Sequence, residues 1–102
     1  MAFGITREEL SEWKDKVSQG EIAFITHYWY DPRFPQYSSV TKVGCASISK
    51  LVDWGRRHDL KEKWIHQGKY PHFDLLGPYQ YNILQKEGLH HHIVRFNLKG
   101  EQ

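Results

Sequence analysis

The chain is 102 residues long, enough for one hydrophobic core and too short for two, so a single domain over 1–102 is expected. Aromatic residues make up 15% within a hydrophobic fraction of 39%, which predicts a core built on rings, and a lone cysteine, Cys45, excludes an internal disulfide or a cysteine-rich zinc site. A net charge of +2, from 14 basic and 12 acidic residues, excludes a chain that coats nucleic acid through bulk charge; no apolar run suits a secretory signal or a membrane span, and a cytoplasmic protein is expected.

Thr6 and Glu9 have capping-box spacing, and Leu10, Trp13 and Val17 recur at helical spacing before Gly20. They predict an N-terminal helix occupying 6–19, its regular turns at 7–18. Glu21 to Trp29, rich in Ile, Phe, Thr, Tyr and Trp, reads as a strand. The two prolines of Asp31-Pro32-Arg33-Phe34-Pro35 exclude a helix there and predict an ordered loop. Ser39 to Val43 is a second strand, followed by a helix from an N-cap at Ser47 to about His58, with Ile48, Leu51, Val52 and Gly55 on one face. Trp64-Ile65-His66 predicts a short strand, and Tyr70 to Leu76 an extended stretch because Pro71 disfavours helix at Tyr70. A third helix runs from about Tyr79 to Lys86, closed by Gly88. His92 to Asn97 alternates as a last strand, and Lys99 to Gln102 are expected to fray. The fold class is α+β: a small mixed β-sheet with about three helices, in the order α-β-β-α-β-α-β.

The basic excess sits in the middle of the chain, where residues 33–73 carry eight basic and three acidic groups. Within it, His72 and Asp74 are two apart on an extended segment, so they project to one face while Phe73 and Leu75 enter the core. Such a pair binds a metal, orients an imidazole for acid/base chemistry, or hydrogen-bonds across a sheet edge. His27 and Asp31 with His72 and Asp74 are the candidate ligands of a divalent metal, with His66 a further candidate. Lys42, Arg33 and the hydroxyls of Ser39 and Thr41 lead to the helix N-terminus at Ser47, where amide groups favour an anion, although the phosphate-loop frame is missing. Arg56, Arg57, His58, Lys61, Lys63 and Lys69 complement a helix dipole or, alongside Trp64, Tyr70 and the Tyr28-Trp29-Tyr30 cluster, offer charge and stacking faces to nucleotides. Cys45 reads as a small buried residue, and His90-His91-His92 as an incidental turn or a metal tract.

From residue 31 onward the order of motifs resembles an uncharacterised domain-of-unknown-function family of small bacterial and phage proteins. The shared pattern is Asp31 and Pro32 after the first strand, Leu51-Val52-Asp53-Trp54-Gly55, Leu60, Trp64, Pro71-His72-Phe73-Asp74-Leu75 and a short helix ending at Gly88. The resemblance spans about residues 25–90; the N-terminal helix is an addition, and His27 to Asp31 stand where the family has a double-Asp strand. It implies a bacterial or phage origin and points at His72 and Asp74, without providing a reaction.

Three functions follow as expectations. The first is a binding module whose cleft, formed by Asp31, Arg33, Thr41, Lys42, His72 and Asp74, holds a nucleotide or nucleic acid by its phosphate. The second is a metal-dependent phosphoesterase or nuclease in which His72 and Asp74 are catalytic and His27 and Asp31 complete the site. The third is an interaction protein that docks another chain or a second copy through Tyr28, Tyr30, Phe34 and Tyr37.

Overall fold

The computed structural model describes residues 3–99. Its elements are α1 (Arg7–Ser18), β1 (Ala23–Tyr28), β2 (Ser39–Gly44), α2 (Ile48–Arg56), a 3₁₀ turn (Glu62–Trp64), β3 (His72–Leu75), α3 (Gly77–Lys86) and α4 (His90–Arg95). The fold is α+β, and the sheet is antiparallel with strand order β1-β2-β3, so the described residues contain no parallel pairing of the kind a mixed sheet includes. Among the described residues no helix is long and apolar enough to cross a membrane. The chain divides into two compact units, one of Met1–Ile5, Thr26–Thr41 and Leu75–Gln102, the other of Thr6–Ile25 and Lys42–Asp74.

In the second of these units, α1 starts as its sequence dictates. The Thr6 hydroxyl accepts from the Glu9 amide at 3.0 Å and the Thr6 amide donates to the Glu9 carboxylate at 2.7 Å, so two amide donors at the helix start are satisfied. The helix buries Trp13 and Val17, and the Trp13 indole donates to the Ala23 carbonyl at 3.0 Å. Ser47 caps α2, whose buried face is Leu51, Val52, Trp54 and Gly55. Gly55 is required by a close approach: a Cβ there would stand 2.6 Å from Cζ of Phe73, itself buried against the Trp54 ring at 6.0 Å. The strand expected at Trp64 to His66 is a 3₁₀ turn followed by a single antiparallel bridge between His66 and His72. The amides of Trp64 and Ile65 are spent on the carbonyls of Lys61 and Glu62, which leaves only His66 to pair.

In the other unit, the strand expected at His92 to Asn97 is helical. Asn97 takes φ 52°, its amide donates to the Val94 carbonyl at 3.2 Å and the Leu98 amide to the Ile93 carbonyl at 2.9 Å. These bonds close α4 as a Schellman motif with asparagine in the left-handed position usually given to glycine. The β-branched pair Ile93-Val94 mimics a strand in the sequence, yet Val94 is 79% exposed and Phe96 is the residue that is buried. The fraying expected for Lys99 to Gln102 falls, beyond Lys99, outside the described residues.

Candidate functional site

β3 alternates as its sequence predicts, with Phe73 and Leu75 buried and His72 and Asp74 on the other face. Lys42 of β2 meets them there, its Nζ donating to Asp74 Oδ1 at 2.9 Å and lying 3.3 Å from His72 Nε2. The bridge at His66 brings a second imidazole, whose Nε2 is 3.1 Å from Asp74 Oδ2 and whose ring stacks on His72 at 5.2 Å. One carboxylate thus holds an ammonium with one oxygen and an imidazole with the other.

His72 is the most sheltered member. Its Nδ1 lies 2.7 Å from the Tyr70 carbonyl, which can only accept, so Nδ1 carries the proton and Nε2 of the neutral ring is left to accept from Lys42. The Trp13 ring meets it edge-on at 6.3 Å. Burial pulls the His72 pKa below its ordinary value of 6.5; the Tyr70 carbonyl opposes that shift, the Lys42 charge adds to it, Asp74 opposes it and His66 adds to it. Because the folded pKa lies below the unfolded one, the unfolded chain binds more protons just below pH 6.5, and stability falls as pH drops through that range. Urea unfolding is therefore expected to have a lower midpoint near pH ~5.5 than near pH ~7.5, and His72→Gln to reduce the difference.

Asp31, Arg33, Thr41 and His27, also expected at the site, belong to the other unit. Asp31 takes Arg33 twice: it accepts the Arg33 amide at 2.9 Å in an Asx-type turn and the guanidinium Nε at 3.0 Å. The Arg33 side chain, by hydrogen bond before all else, holds the Asp31 carboxyl down at about 2, and Asp31 in turn raises Arg33. Each charge of this pair answers the other, the Arg33 end exposed and the Asp31 end half-buried. Thr41 is fully buried, its hydroxyl 2.6 Å from Thr26 Oγ1 and accepting from Gln80 at 3.1 Å. His27 is buried, with Nδ1 2.9 Å from the Tyr28 carbonyl. Cys45 is also buried. Among the described residues no group of three or more His, Cys, Asp or Glu is placed to hold a metal ion. Of the aromatic patch, Tyr28 and Tyr30 are exposed, whereas Phe34 and Tyr37 stack on one another at 6.3 Å.

Sequence reasoning passed over Gln80, which is buried and donates through Nε2 to Ser39 at 3.2 Å as well as to Thr41. Its signal was present, since Gln80, Ile83 and Leu84 share one stripe of α3 at i, i+3 and i+4 and all three are buried.

No family model matches the chain. No solved structure matches it. A protein of Bacillus subtilis (strain 168) named "Uncharacterized protein YneQ" is 58% identical over 99 residues, covering 96% of this chain and 100% of the relative. The chain belongs to the family that includes YneQ of Bacillus subtilis.

Proposed function

We propose that this protein is a binding module for a phosphate-bearing ligand, a nucleotide or a nucleic-acid strand, taken at Lys42, His66 and His72. The observation that carries the reading is the state of Lys42. Its ammonium has three donors, and the two partners at Asp74 and His72 use two of them. Asp74 fixes the ammonium and the His66 imidazole in place, so little side-chain entropy remains to be lost when a phosphate oxygen takes the third donor.

The same unit supports an extended ligand. Lys61 lies over the Trp64 ring at 5.7 Å, and Lys14 and Lys69 lie over Tyr70 at 5.5 and 5.7 Å, with Trp64 40% exposed. Cations paired with aromatic faces suit phosphates and bases that alternate along a single strand.

The test is fluorescence anisotropy with a labelled single-stranded oligonucleotide, titrated at several salt concentrations. Affinity is expected to fall steeply with salt, and Lys42→Ala to weaken binding by about tenfold and lower the salt slope by about one. Salt-independent binding, or a Lys42→Ala variant with unchanged affinity, would overturn the reading.

A further inference from the structure

A cavity of about 360 Å³ opens in the unit formed by Met1–Ile5, Thr26–Thr41 and Leu75–Gln102, and it uses none of the residues just discussed. Its size falls in the range of small-molecule sites, roughly 300–1,000 Å³. Tyr37, Tyr81 and Phe96 are among its walls. Their positions are fixed by the fold. Phe96 is buried edge-on against Tyr28 at 4.9 Å, and Tyr37 is held between Phe34 and Gly77, where φ is +56° and a Cβ would stand 2.6 Å from the Tyr37 Oη.

Gln80 lines the same cavity while only 4% exposed. Both N–H groups of its amide are spent on the Ser39 and Thr41 hydroxyls. Thr41 continues the chain of hydrogen bonds to Thr26, and Thr26 to His92 Nδ1 at 2.8 Å, so the amide cannot rotate without breaking a buried series. Its Oε1 makes no hydrogen bond among the described residues. That oxygen is not sealed from solvent, so it can accept from a donor that enters the cavity.

At another part of the wall, Gly77 begins α3, whose N-cap Leu76 supplies no side-chain cap, and Lys99 adds an exposed cation. The helix dipole and the Lys99 ammonium favour a negative substituent. Flat aromatic walls, one fixed acceptor and a cationic rim together match a planar heteroaromatic ring that bears an N–H donor and carries a phosphate.

We propose that this cavity is a binding site for a nucleobase, with Gln80 Oε1 accepting from a ring N–H or exocyclic amino group and Lys99 facing the phosphate of a mononucleotide. The site stands independently of the Lys42 reading.

The test is nuclear magnetic resonance of the full chain titrated with nucleosides, nucleoside 5′-monophosphates and short single-stranded oligonucleotides. The side-chain amide of Gln80 and the rings of Tyr37 and Tyr81 are expected to shift with at least one base, and to shift equally in Lys42→Ala. Tyr81→Ala, a half-buried wall, is expected to weaken binding by about tenfold or more. Lys99→Ala is expected to weaken the monophosphate about fivefold and to leave the nucleoside unchanged. A response to oligonucleotides alone would assign the site to a strand end, and a response to monophosphates to the free nucleotide; both support the base site. No shift at Gln80 with any of these ligands, or wild-type affinity in Tyr81→Ala, would overturn it.

Discussion

Phe73→Ala is expected to cost about 3–5 kcal/mol, a large share of the roughly 5–15 kcal/mol that holds a small protein folded. Phe73 is 2% exposed, and its ring fills the space that the absent side chain of Gly55 leaves on α2. The two residues are halves of one contact. Gly55→Ala pushes a methyl group into that ring and is expected to cost about 1–3 kcal/mol by overpacking. In the Phe73→Ala background the ring is gone, and the same Gly55→Ala change is expected to become neutral or stabilising through its higher helix propensity. Urea unfolding of the four-member cycle measures this. An additive result would show that the ring and the helix backbone do not compete for that space.

Trp13 carries the second large effect. Trp13→Ala is expected to cost about 3–5 kcal/mol, and Trp13→Phe about 1–3 kcal/mol, because the Ala23 carbonyl loses the buried indole donor. The position of the ring ties this to the site. Its ring centre is 6.3 Å from that of His72, the two planes near-perpendicular, and 6.1 Å from that of Tyr70, so removing it admits water to the imidazole. Burial is the first cause of the lowered His72 pKa, and Trp13→Ala should therefore flatten the loss of stability below pH 6.5 as well as lower stability itself. A variant that is less stable but keeps the full acid-side slope would place the shelter of His72 elsewhere.

What could be read from the sequence was what local chemistry decides. The capping box at Thr6 and Glu9, the Ser47 cap and the alternation of His72 to Leu75 each involve neighbours a few residues apart, and each is observed. Segments whose state depends on distant partners were read less well. His66 reaches Asp74 through one bridge to His72, and nothing in Trp64 to Gly68 encodes that partner. The strand-like alternation at Ile93 and Phe96 was overridden by the Asn97 cap, a signal that is visible only if asparagine is considered where glycine is usual. Lys42, His72 and Asp74 were named together and do meet; Asp31 with Arg33, and Thr41 with Gln80, are occupied in pairings of their own.

The Asp74 carboxylate separates the proposed binding module from an enzyme that needs it. In a module that captures phosphate, Asp74 positions Lys42 but also repels the ligand, so neutralising it removes a repulsion on the order of 1 kcal/mol at about 4 Å in water. The decisive measurement is the affinity of Lys42→Ala and Asp74→Asn for the same oligonucleotide at low salt. Opposite shifts are predicted, weaker for Lys42→Ala and about fivefold tighter for Asp74→Asn. Unchanged or tighter binding in Lys42→Ala would contradict the claim that Lys42 is the phosphate contact.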